Sequence, residues 1–230
     1  MRPVADVDLV RHHTVYSCVM GSRAFGLQTE RSDTDRRGVF VAPTALFWRL
    51  EKPPTHVAGP ADEQFSWEVE RFCGLGLRSN PNVLECLHSP LVEYADETGR
   101  ELLSLRGAFL SRETYDSFAR YAVGQRKKLE ADLRNHGAPR WRHVVHLLRL
   151  LRSCRDLLRT GALVLDVGAD REWLLAVKRG EVPWDRLEPV MGRLADEARA
   201  ALDGSPLPGR PDRARVEDFL IRVRRASADA

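Results

Sequence analysis

The chain has few cysteines: Cys18, Cys73, Cys86 and Cys154 are scattered through 230 residues, with no Cys-x-x-Cys pair. That scatter excludes a zinc ribbon or a disulfide framework and reads as reduced, mostly buried thiols in a cytoplasmic protein. Long apolar runs are missing too. Nothing approaches the roughly 18 residues a membrane helix needs, so no membrane partner is expected. Residues 1–6 hold no apolar signal region, which argues against export. Charge shows no extreme: 36 Lys and Arg against 33 Asp and Glu leave a net +3, which permits an anionic substrate such as a nucleotide or RNA without demanding one. No internal repeat is present. With 43% hydrophobic and 30% charged residues the chain has a globular balance, enough for one sizeable domain or two small ones.

The first part alternates strand and helix signals. Residues 14–20 (Thr-Val-Tyr-Ser-Cys-Val-Met) are rich in β-branched and aromatic side chains and end at Gly21, a buried-strand pattern. Ser22 can cap a short helix over 23–27, and 28–32 is polar loop. Residues 33–41 read as a second strand closed by Pro43. Residues 45–50 suggest a helical turn, and the Pro- and Gly-rich stretch 52–60 a surface loop. Residues 63–67 make a short third strand. Helical spacing of Val69, Phe72, Cys73 and Leu77 follows, broken at Asn80-Pro81-Asn82, where a turn and helix cap outweigh substrate contact. After about residue 96 the pattern is helical to the end, with an Arg- and Leu-rich stretch over 141–160 and a last helix around 216–225.

The chemistry concentrates in Gly21-Ser22 and Asp33-Thr34-Asp35. Side chains alternate along a strand, so Asp33 and Asp35 are expected on one face, with Cα atoms about 6.6 Å apart. Carboxylates so spaced can bridge two magnesium ions, which sit ~3.5–4 Å apart in two-metal sites. Magnesium suits carboxylate and phosphate oxygens and needs few protein ligands; manganese would serve similarly. Gly21 lets the backbone approach a triphosphate, and Ser22 adds a hydroxyl at a turn that favours an anion. Arg23 adds charge there. Arg37, on the acids' face, either binds phosphate or pairs with one of the acids.

Arg142, His146, Arg149 and Ser153 share one face of the 141–160 helix, while Val144, Leu147, Leu148, Leu151 and Leu158 can face a core. That basic face is either a wall for triphosphate and RNA backbone or a solvated surface. His143 and His146 receive no catalytic role. Trp67, Trp141 and Trp184 can stack on a base, but core packing is the safer expectation.

A Gly-Ser turn, a gap of about ten residues and Asp-x-Asp resemble the signature of polymerase-β-type nucleotidyltransferases. The blocks Gly21-Ser22-Arg23-Ala24-Phe25-Gly26-Leu27, Ser32-Asp33-Thr34-Asp35-Arg36-Arg37-Gly38-Val39-Phe40-Val41-Ala42-Pro43, Arg71-Phe72, Asn80-Pro81-Asn82-Val83-Leu84-Glu85, Arg142-His143-Val144-Val145-His146-Leu147-Leu148-Arg149 and Val177-Lys178-Arg179-Gly180-Glu181 are similar to the RlaP family of nucleotidyltransferases associated with RNA repair. The resemblance implies an α/β fold: a small mixed-sheet, polymerase-β-like palm over residues 1–95 and an all-helical domain over 96–230. It implies transfer of a nucleoside monophosphate from a nucleoside triphosphate to an acceptor hydroxyl, an RNA end by family association, with pyrophosphate released. Asp33, Asp35 and a third carboxylate would hold the metals. Register against Arg71-Phe72 places Glu63 there, where the family more often carries Asp, and Glu68 is the alternative. Gly21, Ser22, Arg23, Arg37, Arg142 and Arg149 would contact the nucleotide. A protein or small-molecule acceptor, or a catalytically silent nucleotide-binding module, stays open at this point, as does the oligomeric state.

Overall fold

A computed structural model describes residues 6–228. Helix α1 (Asp6–His13) leads into β1 (Thr14–Val19), a short helix α2 (Gly21–Ala24) and β2 (Arg36–Phe40). A 3-10 turn (Thr44–Trp48), β3 (His56–Ala58) and β4 (Gln64–Glu68) follow, then α3 (Val69–Gly76), α4 (Pro81–Leu87) and β5 (Val92–Ala95). The five strands form one mixed sheet in the order β3-β4-β2-β1-β5. β2 runs parallel to β4, and the other neighbours are antiparallel. The rest is helical: α5 (Glu97–Ser104), a 3-10 turn (Arg106–Phe109), α6 (Thr114–His136), α7 (Trp141–Thr160), a 3-10 turn (Gly168–Asp170), α8 (Arg171–Lys178), α9 (Trp184–Ala201) and α10 (Arg213–Ala226). Among the described residues no helix is long and apolar enough to cross a membrane.

Strand alternation sets the layers. Tyr16 pairs with Val39, and Val39 with Trp67, so these side chains share one face and join the main core. Helix α4 lies against that face, with the Tyr16 hydroxyl donating to the Cys86 carbonyl at 2.7 Å. The Cys18 and Cys86 sulfurs are 3.6 Å apart, and all four cysteines are free and buried, as their spacing predicts. Phe40 points the other way, into a smaller cluster with Leu9, Val10, Ala42 and Val57. Asn80 caps α4, accepting from the amides of Asn82 and Val83, which is the structural role its sequence suggests. Trp67, Trp141 and Trp184 pack half-buried against the main core, again the structural role.

Packing crosses residue 95. Helix α5 lies against β1 and β5, and α10 returns from the end of the chain to α3. One buried core runs from the sheet through α7 to α10. Within the helical half, α7 is the central rod, flanked by α6, α8 and α9.

The return of α10 hangs on Glu68. Its carboxylate accepts from the amides of Glu70 and Ala42 and pairs with Arg224 of α10 at 2.8 Å. Burial pushes the Glu68 carboxyl up from its ordinary value, against the pull of Arg224. This corrects the alternative that made Glu68 a metal ligand. It sits level with Phe40, at the far end of β2 from the Asp-x-Asp, five strand residues or ~16 Å from Asp35.

Candidate active site

Strand β1 delivers the chain to Met20, and α2 turns it away at once. Gly21 takes φ +66°, a conformation that side chains with a Cβ rarely adopt. A Cβ built there would lie 1.9 Å from Asp35 Oδ2, so the Asp35 carboxylate occupies the space that glycine leaves open. The turn closes on itself, with Phe25 N–H donating to the Gly21 carbonyl and Leu27 N–H to that of Ser22. Ser22 is half-buried, and its hydroxyl makes no hydrogen bond among the described residues. Arg23 reaches back to the carbonyls of Ser32 and Asp33, fixing the loop that carries the first acid rather than pointing away from it.

Asp33 and Asp35 were expected on a strand. The strand instead begins at Arg36, and both acids lie in the segment leading into it. Asp35 is nonetheless held at the end of the central strand: its carbonyl accepts from Met20 N–H at 2.7 Å, and the next amide, Arg36 N–H, donates to the Glu63 carbonyl at 2.9 Å. Asp33 is exposed and has no ion-pair partner among the described residues. Asp35 has one distant partner, Arg37 at 3.9 Å. Arg37 also donates to the carbonyls of Arg36 and Glu63. The pairing anticipated for Arg37 is therefore present, and the Asp35 carboxylate stands beside the glycine turn with only that distant partner.

Glu63 presents its backbone to this site. Parallel pairing of Arg36 with Gln64 puts Asp35 level with Glu63. Glu63 lies in the turn before β4 with φ +54°, exposed, and its carbonyl takes both hydrogen bonds named above. Among the described residues no three His, Cys, Asp or Glu side chains gather as a metal-binding group, so the carboxylate does not complete a triad with Asp33 and Asp35. Magnesium still fits the donors present. It keeps several waters and is commonly held by one or two carboxylates together with substrate phosphates.

The two α7 arginines diverge. Arg142 is exposed and free of partners among the described residues. Arg149 is 3% exposed; it donates to Glu85 of α4 at 2.6 Å and lies 3.5 Å from the Phe25 ring centroid. Its charge is thus spent supporting the glycine turn from behind. His146 completes that support as a neutral acceptor 3.3 Å from Arg149, its pKa lowered to about 4 by burial and then by Arg149. His143 pairs with Asp132 at 3.3 Å.

A second clamp on the turn comes from residues the sequence reading does not single out. Val167 N–H donates to the Phe25 carbonyl at 3.1 Å, and Arg171 donates to the carbonyls of Gly26 and Gln28. Arg152 in turn donates to the Val167 carbonyl at 2.9 Å. The only sequence signal for this segment is the alternation Leu163, Leu165, Val167, all three buried against the core.

Comparison with known proteins places these features. An uncharacterized protein of Bacillus subtilis (strain 168), YcgL, is 30% identical over 129 residues, covering 50% of this chain and 50% of that protein. The chain thus matches about half the length of that curated relative. No solved structure matches. The family model described as the RNA repair pathway DNA polymerase beta family, RlaP, matches residues 5–222, and with a polymerase-β-type glycine turn and Asp-x-Asp in place the chain belongs to that nucleotidyltransferase family.

Proposed function

We propose that the protein transfers a nucleoside monophosphate from a nucleoside triphosphate to an acceptor hydroxyl, an RNA end, with pyrophosphate released. The observation that carries this reading is the seating of the Asp35 carboxylate in the space left by Gly21, two residues from Asp33, whose carboxylate has no ion-pair partner among the described residues. That arrangement puts the anion-holding turn and the cation-holding acids against each other, as the two halves of a metal–triphosphate complex require.

Asp33 and Asp35 would hold magnesium, which when bound neutralises the triphosphate and lowers the cost of charge building up at the α-phosphorus. The chain's own groups then orient the substrate. The Gly21–Ser22 backbone and the free Ser22 hydroxyl hold phosphate oxygens. Arg37 keeps one guanidinium nitrogen on the carbonyls of Arg36 and Glu63, while the other has only a long contact to Asp35 and can turn to a phosphate once the acid is engaged. Arg142, exposed on α7, adds a cation for the triphosphate or for the acceptor's backbone. Arg149 and His146 act through Phe25 and hold the turn in place.

The test is pyrophosphate release from each of the four ribonucleoside triphosphates with magnesium, with and without small RNAs, beside an Asp35→Ala control. RNA-stimulated release that vanishes in Asp35→Ala is the expected result. A specific observation favours a second reading: among the described residues no three carboxylates gather as a metal-binding group. Under that reading the protein binds the triphosphate without transferring it. Calorimetric nucleotide binding with no release under any condition would decide for it.

A further inference from the structure

Helices α7, α8 and α9 line an open cleft of about 310 Å³, separate from the glycine turn. Its floor is apolar, formed by Leu148, Leu174 and Leu194, all buried. Its rim carries Arg152 and Arg155 from α7 and Arg193 from α9, with the carboxylate of Asp170 among them. Trp173 of α8 forms one wall and is 37% exposed. Arg152 is paired with Asp170, and Arg155 with Asp156 at 2.7 Å. Arg155, Arg159 and Arg193 all converge on the single carboxylate of Glu197, at 3.2, 3.7 and 3.9 Å. Arg193 has the longest of these contacts and is 66% exposed, so its guanidinium is the one most open to an incoming anion.

An apolar floor, an indole wall and an arginine rim suit a ligand with a flat aromatic part and an anionic part. Indole faces stack on nucleobases, and guanidinium forks match phosphate oxygens. The volume lies at the small end of ligand pockets, which span roughly 300–1,000 Å³, so one nucleotide unit is the fitting size. The cleft also backs onto the catalytic turn. Arg149 lines it while stacking on Phe25, and Arg152 at its rim holds Val167, whose amide holds the Phe25 carbonyl.

We propose that this cleft is a second nucleotide subsite, binding one nucleoside phosphate unit with its base on Trp173 and its phosphate at Arg193. This rests on the nucleotidyltransferase reading, under which the unit belongs to the acceptor strand. A free nucleoside monophosphate has the same chemistry and would bind as an effector.

Binding measured without triphosphate or metal separates these ideas. The full-length protein is titrated into a fluorescein-labelled single-stranded RNA by anisotropy, and the four nucleoside monophosphates are titrated by calorimetry. Trp173→Ala and Arg193→Glu, both at exposed positions, should each weaken RNA binding about tenfold, within the range expected for loss of one stacked base. Trp173→Phe should restore most of it. Equal weakening toward monophosphates identifies a free nucleotide as an occupant; weakening toward RNA alone identifies the strand. Wild-type affinity in both variants, or no binding of either probe by the unaltered protein, overturns the proposal. Asp35→Ala should keep RNA binding while losing transfer. A transferase whose RNA binding ignores Trp173 would sink the subsite alone, whereas Trp173-dependent binding without any transfer would sink the activity alone.

Discussion

Gly21 and Asp35 form a pair in which each explains the other. The glycine has φ +66°, and the Asp35 carboxylate fills the volume a side chain would need. Alanine at position 21 would meet two penalties. The left-handed conformation costs a residue with a Cβ about 1–2 kcal/mol, and the methyl would overlap Asp35 Oδ2, so the carboxylate must move. Gly21→Ala should therefore lower pyrophosphate release as far as Asp35→Ala does. Its melting temperature should fall by about 2–4 °C for each kcal/mol lost. Ser22→Ala is the contrasting change. Its hydroxyl has no partner among the described residues, so melting should stay unchanged while the KM for triphosphate rises. Differential scanning fluorimetry beside the release assay reads both variants.

The lead-in to β4 separates backbone from side-chain contributions. The Glu63 carbonyl accepts from Arg36 and Arg37 and so ties β4 to the Asp-x-Asp segment, while among the described residues its carboxylate joins no metal-binding group of three. Glu63→Gly keeps the carbonyl and removes the carboxylate. Glycine relieves a left-handed strain of about 1–2 kcal/mol and costs roughly 0.5–1 kcal/mol through the freer unfolded chain. Stability should hold or rise by up to about 1.5 kcal/mol in urea unfolding. Transfer and its magnesium requirement should stay close to wild type; loss as deep as in Asp35→Ala would make the carboxylate a ligand after all. Glu63 also marks where sequence reading stops. Strands β1 and β4 and helix α7 were legible because their apolar periodicity is local, and the glycine turn and Asp-x-Asp because their spacing is. Strands β3 and β5 have three and four mostly exposed residues, too few to show alternation, so 52–60 read as loop and 92–95 passed unnoticed. The roles of Glu68 and Arg149 depend on partners 156 and 64 positions away, which no local pattern encodes.

Arg149 and Glu85 join the helical half to the sheet half through a buried ion pair, 3% and 4% exposed, beneath Phe25. Removing one partner strands the other's charge, which typically costs about 3–5 kcal/mol, while replacing both with apolar groups is often neutral. Arg149→Met should thus be strongly destabilised, and the double variant Arg149→Met, Glu85→Leu should recover much of the loss in urea unfolding. The same junction gives the fold an acid sensitivity. His146 accepts from Arg149 and so must be neutral there, and burial holds both His146 and His88 down to about 4. The unfolded chain takes up protons at these imidazoles as pH drops through about 6.5, while the native chain resists until about 4. Their depressed pKa values therefore stabilise the protein above pH 6.5, and that contribution drains away as pH falls toward 4, at up to about 1.4 kcal/mol per pH unit for each histidine. Glu68 opposes this. Its raised carboxyl favours the fold at low pH and loses that benefit as pH rises through its window above 4.5. Two histidines outweigh one carboxyl, so the urea midpoint should be lower at pH 5 than at pH 7. In His146→Gln, which keeps a hydrogen-bond acceptor beside Arg149 but cannot titrate, the difference between the two midpoints should shrink, as one of the histidines held down by burial drops out. An unaltered difference would place the acid sensitivity elsewhere in the molecule.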